Sequence, residues 1–302
     1  MSDVPAVGPV VAPRVGPRRQ DVTGLVAGTL RHSMVDGPGN RFVAFLQGCT
    51  FDCVACHNPY TIHVCDGCGL CVDACATGSL EVLDGTVVWT PDSCLGCDDC
   101  TRICPSNSTP KARRLTPADL VDEVRPVAPF LSGVTVSGGE ATMQAPFVRA
   151  WFEALRDDPE LSRLTRFVDT NGGAPRATWD LLEPVMDAAM VDLKALDDQV
   201  HRELTGASNE RVRTSIELLA AREQLHEVRL LIVPGRNDAD EQLRRTGAYL
   251  SDVAPGVPVK VIGFRRHGVR PAGQRLPEAT PERLAEVAAR LTGEGVGPIT
   301  IV

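Results

Sequence analysis

The chain has 302 residues, 43% of them hydrophobic, which is enough to bury the core of one large domain with something smaller beside it. Its formal net charge of −8 argues against binding nucleic acid through a basic surface. No apolar run approaches the ~18 residues of a membrane helix, and residues 1–20 lack the apolar core of a secretory signal. We therefore expect a cytoplasmic protein with no membrane partner.

The number of cysteines indicates that the protein binds metal. The chain has 11 cysteines, an unusual number for disulfides in an intracellular protein, and an odd count leaves one thiol unpaired. They divide into a group of three and two groups of four, so metal ligation gives every thiol a role. Because exposed metal–sulfur clusters are destroyed by oxygen, we expect the protein to function anaerobically.

The first part of the chain leads up to the group of three cysteines. Residues 1–21 are rich in Pro, Gly and Val without periodicity, which predicts a disordered extension. A turn at residues 36–39 then precedes the first predicted strand, residues 41–47. Directly after this strand, the pattern CxxxCxxC places Cys49, Cys53 and Cys56.

Three thiolates at this spacing can hold three irons of a [4Fe-4S] cube and leave the fourth iron open. Proteins that only carry electrons normally supply four thiolates, so a group other than cysteine is expected at the last position. S-adenosylmethionine is the obvious candidate. The alternatives are a zinc site at Cys53 and Cys56, or three unrelated buried thiols.

Residues 61–109 contain two copies of CxxCxxCxxxC, separated by a short predicted strand–turn–strand at residues 81–91 with Asp84 and Gly85 at its tip. The two runs resemble a bacterial two-cluster ferredoxin, in which the fourth cysteine of each run binds the other cluster. This resemblance implies one cube on Cys65, Cys68, Cys71 and Cys104, and another on Cys75, Cys94, Cys97 and Cys100. A pair of zinc knuckles is the alternative.

Beyond the insert, helical and strand patterns alternate. Predicted strands cover residues 133–137, 166–170, 189–194, 227–233 and 259–264, with a last candidate at 298–302. Predicted helices cover residues 117–127, 146–156, 177–187, 210–223, 240–250 and 281–291. This alternation predicts an α/β fold with a parallel sheet, either open or closed into a barrel, and a site at the carboxyl ends of the strands.

Three predicted strands end in short polar motifs. Residues 137–140 are Ser-Gly-Gly-Glu, residues 169–172 are Asp-Thr-Asn-Gly, and residues 190–194 are Met-Val-Asp-Leu-Lys. Each motif alone is more typical of a turn or a solvated strand end than of a site. Glycines at a strand end do, however, let the backbone approach a ligand closely.

Together with Val35-Asp36-Gly37-Pro38-Gly39 before the cysteines and Cys56-His57-Asn58-Pro59 at their end, these motifs resemble the radical S-adenosylmethionine (radical SAM) superfamily. Within it they resemble the activating enzymes of glycyl-radical enzymes, of the pyruvate formate-lyase activase type. The ferredoxin-like insert and the segment Phe264-x-x-His267-Gly-Val-Arg resemble the YjjW-like branch of that group more closely. The resemblance covers residue 30 to the C-terminus.

The resemblance implies a partial (β/α)6 barrel over residues 22–60 and 110–302, interrupted by a ferredoxin-like 2[4Fe-4S] module at residues 61–109. It implies catalytic roles for the cluster of Cys49, Cys53 and Cys56 and for Lys194, which would hold the carboxylate of S-adenosylmethionine. The other implied contacts to this cofactor are Ala55, His57, Asn58, Gly138, Gly139, Glu140, Asp169, Asn171, Asp192 and His267.

Two details of this implied site remain open. Asp169, Thr170, Met190 and Asp192 form a candidate site for a monovalent cation. Relatives carry a histidine after the aromatic residue at the ribose, whereas this chain has Arg265 there and His267 two positions later.

The resemblance further implies an oxidoreductase that cleaves S-adenosylmethionine reductively to methionine and a 5′-deoxyadenosyl radical. That radical would take an α-hydrogen from one glycine of a partner glycyl-radical enzyme. The ferredoxin-like module, supplied by a flavodoxin- or ferredoxin-like donor, would pass the electron. Two alternatives stay open: a radical SAM enzyme acting on a small molecule or a peptide side chain, and an iron–sulfur electron carrier without enzymatic activity.

Overall fold

The fold is built on a sheet of nine strands. The computed structural model describes residues 22–302, so the predicted disordered extension at residues 1–21 lies outside the described part of the chain. The strands of that part are β1 (Gly24–Ser33), β2 (Arg41–Leu46), β3 (Leu80–Leu83), β4 (Thr86–Trp89), β5 (Arg113–Leu115), β6 (Gly133–Gly138), β7 (Thr165–Thr170), β8 (Ala188–Asp192), β9 (Leu225–Ile232), β10 (Val259–Gly263) and β11 (Ile299–Ile301). The α-helices are α1 (Asp99–Arg102), α2 (Pro117–Val124), α3 (Ala145–Asp157), α4 (Arg176–Leu182), α5 (Asp198–Thr205), α6 (Glu210–Ala221), α7 (Asp240–Val253) and α8 (Pro281–Gly293).

The strand order in the large sheet is β11-β10-β9-β8-β7-β6-β2-β1-β5. All neighbouring pairs from β2 to β11 are parallel, whereas β1 runs antiparallel to both β2 and β5. The predicted α/β architecture with a mostly parallel sheet is confirmed. Because parallel strands bring their carboxyl ends to one edge, the polar motifs at the ends of β6, β7 and β8 meet there.

Local sequence explains the elements that were predicted. β2 and β6 are buried along nearly their whole length, which accounts for their continuous apolar runs. Thr116 is the N-cap of α2 and forms a capping box with Asp119 at the start of this helix. Helix α3 buries two aromatic side chains completely, Trp151 and Phe152, against the sheet side of the core.

Four elements were not predicted, namely β1, β5, α1 and α5. The pairing of β1 with β2 has two irregularities, and these interrupt the regular alternation of side chains along β1. The strand β5 has only three residues. Helix α5 is short and mostly polar, although Asp197 caps its start and Gly206 ends it in the left-handed region. Two predicted helices are too long: α2 ends at Val124 rather than at residue 127, and α4 at Leu182 rather than at residue 187, because Pro126 and Pro184 follow.

The predicted strand–turn–strand of the insert is confirmed as the hairpin β3–β4, with Asp84 and Gly85 both at positive φ. Its inner residues Leu80 and Val87 pack with Cys71 and Cys100 of the insert in a small cluster separate from the main core. No helix in residues 22–302 is both long enough and apolar enough to cross a membrane.

A buried arginine fixes the start of β2. Arg41 is fully buried, and its guanidinium donates to the hydroxyls of Thr135 and Thr165 and to the carbonyls of Pro38, Val134 and Thr165. It also lies 4.3 Å from the centre of the Phe167 ring. This side chain therefore joins three neighbouring strands to the turn that precedes β2.

Replacing Arg41 should destabilise the whole sheet. We expect Arg41→Met to lower the free energy of unfolding by about 3 kcal/mol, because several buried acceptors lose their donor. Urea unfolding followed by circular dichroism measures this. The control Arg31→Met alters an exposed residue of β1 and should stay within about 0.5 kcal/mol of the wild type. Equal losses in the two variants would contradict this interpretation.

Candidate functional site

A cavity of about 310 Å³ opens at the carboxyl ends of the parallel strands. The loop between β2 and the insert forms one wall, and the ends of β6, β7 and β8 form the other. The predicted site residues on its lining are Cys49, Cys53, Ala55, Cys56, His57, Asn58, Gly138, Gly139, Asp169, Thr170, Asn171, Asp192 and Lys194. Residues far apart in sequence thus meet around one space.

The cysteine loop, residues 48–57, is held by the main chain. Cys49 donates its N–H to the carbonyl of Ile62 over 2.9 Å, and Asp52 and Val54 donate to the carbonyls of Thr205 and Leu204 at the end of α5. The unpredicted helix α5 is therefore a support of this loop.

The two glycines at the end of β6 are required by close packing under this loop. Gly138 has a φ of 116°, and a Cβ there would lie 2.3 Å from backbone atoms of Leu46. A Cβ on Gly139 would lie 2.3 Å from the carbonyl oxygen of Gly48. Only glycine lets β6 and the cysteine loop approach this closely, and the approach sets the depth of the cavity.

Burial makes the three thiols of the loop weak acids. It raises the pKa of Cys49 to about 11 and that of Cys53 to about 12, and it also raises the pKa of Cys56. The Lys194 ammonium opposes this effect at Cys53 and Cys56. In metal-free protein these groups are neutral thiols at pH 7, so binding a cluster must release protons.

The donor set fits a [4Fe-4S] cube with a small ligand beside it. Three thiols share one wall, the cavity in front of them has room for a ligand, and the opposite wall supplies backbone and charged groups. In the described residues, no group of three or more His, Cys, Asp or Glu side chains is placed to hold a single metal ion. A cube is larger than one ion, and its ligands stand correspondingly further apart.

Glu140 lies beneath the cavity wall rather than on it. Its carboxylate is fully buried and accepts hydrogen bonds from the backbone and hydroxyl of Thr142, the hydroxyl of Thr170 and the N–H of Asn171. Asn171 in turn directs its side-chain amide at Thr50 and at the sulfur of Cys49, 3.6 Å away. Glu140 therefore positions the end of β7 against the cysteine loop.

Glu140→Gln should disturb this arrangement, because an amide N–H₂ would face donors in place of a carboxylate oxygen. We expect a loss of about 2 kcal/mol in the free energy of unfolding, measured in urea. Glu160→Gln is the matched control, since that side chain is 75% exposed and pairs only at the surface with Arg125. Identical urea midpoints for the two variants would rule out the support role.

Charged pairs occupy the far wall. The Nζ of Lys194 lies 2.7 Å from Asp192, and although burial alone would lower the pKa of Lys194, the Asp192 carboxylate raises it. Lys194 is therefore a permanent cation at the cavity.

Met190, of the candidate cation site, is buried and lies behind the lining.

Arg229 is a site residue that the sequence interpretation missed. It lies on β9, with its guanidinium 2.9 Å from Asp169, 2.7 Å from Glu227 and 3.0 Å from the sulfur of Met190. It thus reaches two of the four residues of the candidate cation site. A signal was present, since Glu227 and Arg229 are two charges in an otherwise apolar predicted strand.

His267 and Arg265 do not reach the cavity with their side chains. Both are exposed and neither contributes to the lining. The carbonyl of Arg265 instead lies 2.9 Å from the Nε2 of His57. The backbone of this segment, rather than its histidine, meets the site.

The insert brings cysteines of its two runs together. Cys75 of the first run lines a small cavity with Cys94, Cys97 and Cys100 of the second. Burial raises the pKa of Cys71, and the charges of Cys65, Cys100 and Cys104 add to this. The eleven cysteines, all of which lie in the described part of the chain, form no disulfides.

Thiol reactivity should separate the two regions in metal-free protein. The hydroxyl of Thr77 lowers the pKa of Cys75 to about 7, so this group is a thiolate at pH 8, whereas Cys49 and Cys53 are thiols. We expect iodoacetamide to modify Cys75 more than about tenfold faster than Cys53, measured by peptide mass spectrometry. The difference should vanish in denaturant. Equal native rates would contradict the assigned environments.

Comparison with known proteins agrees with this fold. The family model described as the radical SAM superfamily matches residues 43–246, and the chain belongs to that superfamily. A radical SAM methyltransferase from Sphaerobacter thermophilus shares the fold, with a TM-score of 0.56 at 15% identity over 93% of this chain and 77% of its own.

Relatives found by sequence place the chain in a smaller group within the superfamily. The pyruvate formate-lyase 1-activating enzyme of Escherichia coli K12 is 30% identical over 240 residues, 78% of each chain. The isethionate sulfite-lyase activating enzyme of Nitratidesulfovibrio vulgaris is 30% identical over 274 residues, 82% of this chain and 86% of its own. The protein is accordingly a radical SAM enzyme of the activating-enzyme family, as its motifs predicted, and that family implies S-adenosylmethionine and a [4Fe-4S] cluster as cofactors.

Proposed function

We propose that this protein activates a glycyl-radical enzyme by removing an α-hydrogen from one glycine of that partner. The observation that carries the proposal is the single cavity in which Cys49, Cys53 and Cys56 face the strand ends Gly138–Gly139 and Asp192–Lys194. The names of the 30% identical relatives, which are activating enzymes of two different lyases, support the same reaction class.

In this proposal the chain's own residues bind and orient the cofactors. Cys49, Cys53 and Cys56 hold the cluster, and Lys194 binds the carboxylate of S-adenosylmethionine. The backbone of Gly139 meets the amino group, and Ala55 and His57 contact the adenine. When bound, cluster and cofactor together supply reductive cleavage and a hydrogen-abstracting radical.

The apolar part of the wall suits this chemistry. Leu231, Val233 and Ile262 line the cavity beside the charged groups. Apolar side chains there exclude water, and they keep stray hydrogen donors away from a reactive intermediate. A monovalent cation near Asp169, Thr170, Met190 and Asp192 stays a prediction, with Arg229 already in contact with the first and third of these.

The proposal includes the partial barrel and the ferredoxin-like insert that the resemblance implied. The strands β2, β6, β7, β8, β9 and β10 are six parallel neighbours, which supports a partial (β/α)6 barrel. The cavity shared by Cys75, Cys94, Cys97 and Cys100 supports one cube of the ferredoxin-like insert, with the second on Cys65, Cys68, Cys71 and Cys104. These clusters would pass electrons from a flavodoxin- or ferredoxin-like donor to the cavity.

The partner must bring a glycine to this cavity, so loops near its rim are expected to contact it. Met34 and Val35 are 79% and 69% exposed, unusual values for apolar side chains on an ordered turn. The carbonyl of Val35 is held by Arg229, 3.3 Å away, so this exposed turn is also tied to the cavity wall. The segment at residues 265–270 flanks the cysteine loop.

The first test uses anaerobically reconstituted protein. We expect about twelve irons per chain and formation of 5′-deoxyadenosine when dithionite and S-adenosylmethionine are added. Cys53→Ala, which removes one ligand of the open-site cluster, should form none. Full cluster loading of the wild type without cleavage would leave the electron carrier as the interpretation.

The second part of the test concerns the substrate. A glycyl-radical protein incubated with the active enzyme and then exposed to oxygen should be cut at one glycine, which mass spectrometry locates. Cofactor cleavage without modification of any glycyl-radical protein would favour the enzyme that acts on a small molecule or a peptide side chain.

A further inference from the structure

A segment that the proposed function uses only as a contact for the partner also packs over the cysteine loop. This segment, residues 264–276, is called the strap below; it follows β10. A Cβ at Gly268 would lie 2.8 Å from the carbonyl oxygen of His57, and one at Gly273 would lie 2.5 Å from that of Val54. The strap therefore touches the loop backbone at two glycines.

Arg270 is the side chain that connects the strap to the cysteine loop. Its Nη2 donates to the carbonyl of Asp52 over 3.1 Å and to the carbonyl of Cys53 over 2.9 Å. Its Nη1 lies 2.6 Å from the carboxylate of Asp52, and the Arg270 side chain is only 18% exposed. Three contacts thus hold one guanidinium at a fixed place beside the second cysteine.

The charge of this guanidinium lies against the backbone that carries the second thiol. A second cation, Lys194, lines the cavity in front of the same loop. Lys194 already pairs with Asp192 and, in the proposed function, with the carboxylate of the cofactor. Arg270 does not line the cavity, so a cofactor bound there would leave its charge unchanged.

We propose that Arg270, set against Asp52, is a positioning residue that tunes the reduction potential of the open-site cluster. The inference rests on the proposed function, because it requires a cluster on Cys49, Cys53 and Cys56. Reduction of a cluster held by these thiolates, by a low-potential one-electron donor, would add one electron and one negative charge to that cluster. A fixed cation beside them stabilises that reduced form, and a fixed carboxylate destabilises it.

The pair offers substitutions with opposite expected effects. Arg270→Gln removes the cation and keeps a side-chain donor, so the potential should fall. Asp52→Asn removes the carboxylate and leaves Arg270 in place, so the potential should rise. Arg270→Lys keeps the charge but loses the two-pronged donation, and its potential should stay near that of the wild type.

The experiment is an anaerobic redox titration of reconstituted holoprotein, followed by electron paramagnetic resonance of the cluster signal that changes on adding S-adenosylmethionine. For Arg270→Gln we expect a tenfold lower ratio of reduced to oxidised cluster at a given potential, about 59 mV for a one-electron couple. Arg266→Gln is the control, since the Nε of Arg266 donates within the same strap, to the carbonyl of Leu276, rather than to the cysteine loop. It should leave the potential unchanged.

Opposite shifts for Arg270→Gln and Asp52→Asn would support the inference. Unchanged potentials, or shifts in the same direction, would overturn it and leave Arg270 as a structural clamp. Loss of the cluster in Arg270→Gln alone would leave Asp52→Asn and Arg270→Lys to decide between these outcomes. A wild-type protein without any cofactor-sensitive cluster would instead refute the proposed function.

Discussion

The site depends on one close approach, that of the cysteine loop to the end of β6. Gly138 and Gly139 allow the two backbones to come within a distance that no side chain would permit. The N–H groups of Gly139 and Glu140 then bond to the carbonyls of Leu46 and Gly48, each within 2.9 Å. This contact places three thiols and three strand ends around one cavity, and the supports from α5 and the strap are added to it.

Much of the fold and of the site could be predicted from the sequence, because the patterns that indicate them are local. The CxxxCxxC spacing, the apolar runs and the polar motifs after them each lie within a few residues, and parallel pairing brings the motifs to one edge. Arg229 and Arg270 could not be placed in this way, since long side chains reach partners 60 and 218 residues away. The depth of Glu140 depends equally on long-range packing, as two of its partners, Thr170 and Asn171, come from the end of β7.

Electrostatic balance around the cavity comes from pairs rather than from single charges. Lys194 faces Asp192, Arg229 faces Asp169 and Glu227, and Arg270 faces Asp52. Burying such groups is costly unless each one is compensated, and here every cation has a carboxylate within hydrogen-bond distance. The carboxylates also hold these cations in place, so the charges keep fixed positions relative to the thiols.

The junction of the insert with the sheet has a consequence for how such a chain can change. The carbonyl of His63, just inside the insert, accepts from Ser108 at its far end and from Gln47 at the end of β2. Entry and exit of the segment are thus tied together at one carbonyl. When the two ends of an inserted segment are held together, a change in the length of the segment changes the loop-closure entropy only a little. Inserted segments of different length can therefore replace one another at this junction with little strain on the sheet.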